Sequence, residues 1–186
     1  MKRNIIFMNG PPGSGKDESA NYLVNNHGYK HTTFKEAAFD LVCGYYNISM
    51  DEYLELYNDR ATKEVPSDLL DGKSPRKAMQ YVVEEVYKPK HGKDVLANKV
   101  IDIIKNDPYN NYVVSDLGLP EEEIIIHYRL RTERYAIIQL QKPECNYNND
   151  TRNKTLIYHY VIQNNKDKQS LYNRLDNIVA IVKNLP

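Results

Sequence analysis

The chain of 186 residues contains no tryptophan, three phenylalanines and two cysteines. Cys43 and Cys145 stand far apart and without C-x-x-C spacing, which argues against both a disulfide framework and a thiolate zinc site. A reducing, cytoplasmic setting is therefore expected. Neither sign of charge is in excess: 25 basic and 25 acidic side chains cancel, so no global field draws the protein to nucleic acid or membrane. Long hydrophobic runs are also lacking. The apolar start MKRNIIFMNG stops at Met8, too short for a secretory signal. Nothing approaches the roughly 18 apolar residues of a membrane span. The sequence has no internal repeat and no low-complexity linker. Its five histidines show no metal-ligand spacing, and no Ser-His-Asp or Cys-His arrangement can be assembled.

What is present is ordinary globular composition, with 41% hydrophobic and 27% charged residues in a length that suits one domain with a real core. Residues 4–9 (NIIFMN) are a short apolar run of the kind that forms a buried parallel strand. Helical spacing follows over 16–26, with Gly28 placed to stop it. A second strand is expected at 29–34, and helices at 36–46, 50–60, 74–88 and 93–106. Strand character returns at 112–116, 134–141 and 157–164, and an amphipathic helix over 170–185 closes the chain. This order predicts an α/β fold with a mostly parallel sheet. The helical block at about 37–106 is the natural subdomain over the carboxyl edge of the sheet, where such folds bind ligands. Sixteen tyrosines are unusual; a few rings could stack on a base, while most are expected to pack or lie on the surface.

Residues 9–20 read NGPPGSGKDESA. Gly10, Gly13 and Gly15, with Ser14 between them, let successive backbone N–H groups turn inward around phosphate oxygens. Lys16 then reaches the β- and γ-phosphates, and the helix beginning there directs its positive end at the same anion. A strand runs into the loop and a helix leaves it, as a phosphate-binding loop requires. The residue after Lys16 is Asp17, where the pattern calls for a serine or threonine hydroxyl on Mg²⁺. A carboxylate is also a hard oxygen donor and can ligate the metal directly or through water. Alternatively, Asp17 serves only as an acid in the first helical turn.

Phosphoryl transfer calls for an aspartate at a neighbouring strand tip, bound to Mg²⁺ through water, and VVSD places Asp116 there. A strand-end turn residue with no ligand is the plainer role. The transferred group also needs cations around it. Candidates are Arg76 with Lys73 and Lys77 at a helix start, Arg129, Arg131 and Arg134 in HYRLRTER, and Arg152 and Lys154 in NNDTRNKT.

GPPGSGKD, the segment KEVPSDLLDGKSPRKAMQYVVEEVYKP, VVSDLGLPEE and CNYNNDTRNKT together resemble the phage deoxynucleoside monophosphate kinases, a branch of the P-loop nucleoside monophosphate kinases. The resemblance touches most of the chain. It implies a P-loop NTPase fold of three α/β/α layers over 1–186, with a core at 1–36 and 107–186. It further implies a helical acceptor-binding insertion at about 37–106 and a short arginine-bearing lid at about 142–155. ATP would lie on Gly10–Asp17, with Mg²⁺ at Asp116 and Asp17, the acceptor phosphate at Arg76, and Arg152 over the transferring group beside Asp150. Aspartate after the loop lysine is tolerated in that family. The chain departs from it in its short lid and in Leu117-Gly118, where an arginine-containing turn is expected. The implied partner is a small-molecule nucleotide, with no membrane, in a monomer or homodimer in the cytoplasm of a phage-infected cell. Two other readings stay open: a P-loop kinase acting on a hydroxyl, such as a hydroxymethyl pyrimidine in phage DNA, and a nucleotide-binding regulator without turnover. Nucleic acid would be a partner only under the first of these.

Overall fold

A computed structural model describes residues 3–59, 61–147 and 156–185. Its elements run β1 (Asn4–Asn9), α1 (Lys16–His27), β2 (Lys30–Thr32), α2 (Phe34–Tyr46) and α3 (Met50–Asn58), then α4 (Pro75–Gln80) and α5 (Lys88–His91). They continue α6 (Val95–Asn106), β3 (Tyr112–Val114), α7 (Pro120–Arg129), β4 (Arg134–Gln141), β5 (Tyr160–Gln163) and α8 (Lys168–Lys183). Five strands form one sheet in the order β2-β3-β1-β4-β5, and every pairing is parallel. The α/β fold with a parallel sheet is thus the observed one. All strands point their carboxyl ends to the same edge, and β1 in the middle delivers the glycine loop there.

The strands are short and apolar because both faces of the sheet are covered. Ile6 and Met8 of β1, Ile138 and Leu140 of β4 and Ile162 of β5 pack with Ala20 and Leu23 of α1 and with Leu171, Leu175, Ile178 and Val182 of α8. The alternate residues Ile5, Phe7, Val114 and Ile137 project to the other face and are equally buried. In β1 every position is buried, which explains an unbroken apolar run instead of an alternating one.

Residues divide into two compact units, Met1–Phe34 with Val100–Pro186, and Lys35–Lys99. The second unit has its own core, in which Phe39, Tyr53 and Tyr57 meet Leu70, Ala78 and Val82. Tyr53 is fully buried and its hydroxyl donates to Pro75 O at 2.9 Å. Several tyrosines are therefore core residues of this unit. The helix expected over 74–88 is observed as α4, a π-helical stretch Tyr81–Tyr87 and α5. Pro89 supplies the physical reason: a proline inside a helix has no N–H to donate and crowds the preceding turn, and a wider turn relieves both. α7 is absent from the periodicity, because EEEIII has no apolar stripe of helical spacing. Its readable signals are Pro120 at the helix start and three glutamates in the first turn.

At the amino edge of the sheet, Arg3 ties three segments together. Its Nη2 donates to Glu133 Oε1 at 2.9 Å, its Nε to Oε2 at 3.3 Å, and its Nη1 to Ile104 O and Asp107 O. The Arg3 side chain is 8% exposed, so truncation leaves charge and carbonyls without a donor. Arg3→Met should lower the unfolding free energy by about 3 kcal/mol in urea titration, and Arg3→Met with Glu133→Leu should recover much of that loss.

Candidate phosphate-binding site

The loop between β1 and α1 is shaped by close approach. A Cβ on Gly10 would stand 2.6 Å from Leu140 O and 2.5 Å from Ser14 Oγ, so no larger residue fits between β4 and the loop. Gly15 caps α1 in the left-handed region at φ 102°, and a Cβ there would meet Asn164 Nδ2 at 2.6 Å. That amide donates to Ser14 O at 2.9 Å, which fastens the loop to the end of β5. Because the cap is glycine, the cap residue offers no side-chain acceptor to the first N–H groups of α1. A helix start without a side-chain cap, at the carboxyl edge of a parallel sheet, is suited to an anion.

Lys16 lies across this loop. Its Nζ donates to Gly10 O at 2.6 Å and to Pro11 O at 2.9 Å, so the ammonium is already directed over the loop by neutral carbonyls. Ser14 is fully buried, and its Oγ has no hydrogen-bond partner among the described residues. An orphaned buried hydroxyl within a glycine loop is the kind of group that a phosphate oxygen satisfies. Asp17 is exposed in the first turn of α1. Ser19 is buried, with its hydroxyl also unsatisfied among the described residues, and is not placed as a substitute for the missing loop hydroxyl.

Asp116 follows β3 by two residues and is held beside the loop by three strand-tip contacts. Register pairs Phe7 with Val114, Leu117 N–H donates to Met8 O at 3.1 Å, and Asn9 Nδ2 donates to Leu117 O at 2.7 Å. One carboxylate oxygen of Asp116 accepts the Phe34 N–H at 2.9 Å, at the start of α2. Glu122 supports the same turn from below, its Oε2 accepting from Gly118 N–H and Leu119 N–H at 2.9 Å each. Burial pushes the Glu122 carboxyl up to about 7; the two N–H donors oppose that shift, and the Asp116 charge adds to it. Sequence reasoning passed over Glu122 and Asn9. The signal for Glu122 was its place as the third residue of a proline-initiated helix, and for Asn9 a polar residue ending an apolar strand.

Among the described residues, no three His, Cys, Asp or Glu side chains form a metal cage. The donor set of Asp116 and Asp17 instead fits Mg²⁺ carried by phosphates, since that ion keeps waters and takes only one or two carboxylates from the protein. A cavity of about 400 Å³ opens beside the loop, lined by Pro11, Gln139, Gln141, Lys142, Cys145 and Tyr147 among others. A second cavity of about 460 Å³ between α1 and α8, lined by Asn21, Asn25, Asn26 and neighbours, carries no lysine or arginine and does not suit phosphate.

The other expected cations are distributed differently. Arg76 lies in the second unit, at the start of α4, with its Nε 2.7 Å from Glu64 Oε1. Arg152, with Asp150 and Lys154, lies outside the described residues. Arg129 pairs with Asp102 at 2.7 Å, and Arg131 lies over the Tyr128 ring at 6.0 Å. The buried Nε of Arg134 has no partner among the described residues.

No family model matches the chain. A protein of Acanthamoeba polyphaga mimivirus that carries the provisional name deoxynucleotide monophosphate kinase is 24% identical over 187 residues, covering 92% of this chain and 93% of that protein. Among solved structures, TT1252 from Thermus thermophilus superposes with a TM-score of 0.55 at 16% identity, over 97% of this chain and 98% of that one. The APS kinase CysC of Mycobacterium tuberculosis, solved with AMPPNP and APS, superposes with a TM-score of 0.50 at 10% identity over 98% of both. At these identities the likeness establishes the fold, which is of the P-loop NTPase type.

The Glu122 carboxyl gives a testable pH dependence. Its pKa rises from an ordinary 4.5 to about 7 on folding, so the native state binds more protons than the unfolded chain between those values. Stability from this group is therefore complete below pH 4.5 and declines as pH rises toward 7. Glu122→Gln keeps an oxygen acceptor and removes the charge. Denaturant titrations should show that roughly 3 kcal/mol of this decline disappears in the variant.

Proposed function

We propose that the protein transfers the γ-phosphoryl group of ATP to a nucleoside monophosphate, most simply a deoxynucleotide, and releases ADP and the nucleoside diphosphate. The observation that carries this reading is the loop at 10–17, where a helix start without a side-chain cap, the Lys16 ammonium and an orphaned Ser14 hydroxyl meet at the carboxyl edge of β1. The P-loop fold, the mimiviral relative's name and that relative's end-to-end coverage support the same direction.

In this reading the backbone N–H groups from Gly13 to Asp17 and the Lys16 ammonium bind the β- and γ-phosphates of ATP. An acceptor phosphate oxygen attacks the γ-phosphorus while the bond from that phosphorus to the bridging oxygen of ADP breaks. Both ends of the transfer are already ionised, so no general base is needed. Bound Mg²⁺ would neutralise charge on the β- and γ-phosphate oxygens. Asp116 would hold that ion from the turn after β3, and Asp17 from the first turn of α1. Arg76 binds the acceptor phosphate and exchanges Glu64 for it. Arg152 is assigned to the transferring group by its place in the sequence DTR alone.

Lys16→Ala should lose transfer by about 10²–10³-fold while melting at the wild-type temperature, as expected for removing one charge-stabilising donor. Undiminished transfer in that variant would refute the reading. The role of Asp17 separates in a second comparison. If its carboxylate ligates the metal, Asp17→Ala loses transfer and Asp17→Ser restores it. If it serves only the helix, both variants keep wild-type rates and differ by a few tenths of a kcal/mol in stability, about the size of a first-turn charge effect.

A further inference from the structure

One side chain touches both halves of the site. Asn9 ends β1, is 1% exposed, and directly precedes Gly10. Its Nδ2 donates to Leu117 O at 2.7 Å. Its Oδ1 accepts from the Tyr147 hydroxyl at 2.6 Å and the Tyr158 hydroxyl at 3.1 Å. These contacts fix the amide's orientation. Leu117 O can only accept, so nitrogen must face it and the amide oxygen must face the phenols. Two phenol donors fill the two lone pairs of that oxygen. Burial pushes the Tyr158 hydroxyl's pKa up, which keeps its proton in place for donation.

Packing alone does not call for asparagine here. The four preceding residues, Ile5 to Met8, are apolar and fully buried, and an apolar residue would continue that strand. Aspartate would turn an oxygen against Leu117 O, while an aliphatic residue would take the Asn9 donor from that carbonyl and the Asn9 acceptor from two hydroxyls. The choice of residue therefore answers to the turn after β3 and to the two tyrosines.

We propose that Asn9 is a positioning residue of the phosphoryl-transfer site, fixing the Asp116 turn against the first glycine of the phosphate loop, with the Tyr147 and Tyr158 hydroxyls locking its amide in the orientation that tether requires. This rests on the reading of the loop and Asp116 given above. The path is short: Asn9 adjoins Gly10, Leu117 adjoins Asp116, and one hydrogen bond joins them. Without it the turn is still held by Leu117 N–H on Met8 O and by Glu122, so the fold persists. What is lost is the register between a carboxylate and the phosphates with which it would share a metal ion. Residues that orient metal ligands from behind typically change metal affinity by about 10–100-fold when removed.

The test uses the full chain as wild type, Asn9→Leu, Tyr147→Phe/Tyr158→Phe, and the triple variant combining all three. Each is titrated with a non-hydrolysable ATP analogue, with and without Mg²⁺, and its melting temperature is recorded. Asn9→Leu should bind the metal-free analogue within about twofold of wild type and lose about tenfold or more of the gain that Mg²⁺ brings. The double phenylalanine variant should lose part of the same gain. The triple variant, which also removes the two hydroxyls that lose the Asn9 acceptor, should recover part of the melting temperature but not the Mg²⁺-linked affinity. Recovery of both in the triple variant would reduce Asn9 to a structural role and overturn the proposal. So would an equal loss of affinity with and without metal in Asn9→Leu, or a wild type whose affinity Mg²⁺ does not raise. A wild type that binds the metal-loaded analogue but phosphorylates no monophosphate would refute the kinase reading alone, and the binding series would still decide the role of Asn9.

Discussion

An α-helix cannot satisfy its first N–H groups from within, and in α1 the cap residue, a glycine, has no side chain to do so. The surrounding features follow from that constraint. Glycine occupies the cap because the chain must pass through a left-handed conformation with Asn164 pressed against it. The lysine that follows is directed back over the loop by two carbonyls, where its charge adds to the positive end of the helix. An uncapped helix start at the surface would be a defect in a purely structural element. At the carboxyl edge of a parallel sheet it is suited to an anion.

The rest of the first unit keeps this site in register with the strand beside it. Parallel pairing brings the ends of β1 and β3 level, and a small set of buried polar groups joins the two tips. Asn9 bridges them through Leu117 O, and Glu122 holds the β3 turn through the Gly118 and Leu119 N–H groups. Buried polar groups are costly unless satisfied, and these are satisfied by backbone groups of the turn that carries Asp116. Glu122 is buried beneath that turn, and this burial is what raises its carboxyl's pKa. The hydrophobic layers of α1 and α8 provide a stiff base on which such distances can be kept.

Much of the fold was legible because local signals agreed with the global arrangement. The apolar run at 4–9 and the helical stripe of α8 each read correctly in isolation. α7 did not, since its side chains carry no clean stripe and its start signals are confined to four residues. The break into a π-helical stretch at 81–87 also escaped, because Pro89 acts on the turn before it and leaves the apolar spacing intact. At the candidate site, motif spacing singled out the loop and Asp116, which parallel pairing sets side by side. It could not find Asn9 or Glu122, whose partners are backbone atoms brought near by parallel pairing and by a tight turn. Sequence patterns record which side chains share a face; they do not record which carbonyl a buried amide will meet.

The central claim is that the anion bound at this loop is the triphosphate of a phosphoryl donor and that the acceptor is a nucleoside monophosphate. The most direct measurement supplies ATP labelled in the γ-phosphate, with Mg²⁺, alongside the four deoxynucleoside monophosphates and an oligonucleotide carrying hydroxymethyl pyrimidines. The fate of the label is then followed by product. Label in the β-phosphate of at least one deoxynucleoside diphosphate is the expected result. Label that enters only the oligonucleotide, or that stays in ATP with every acceptor, would contradict it.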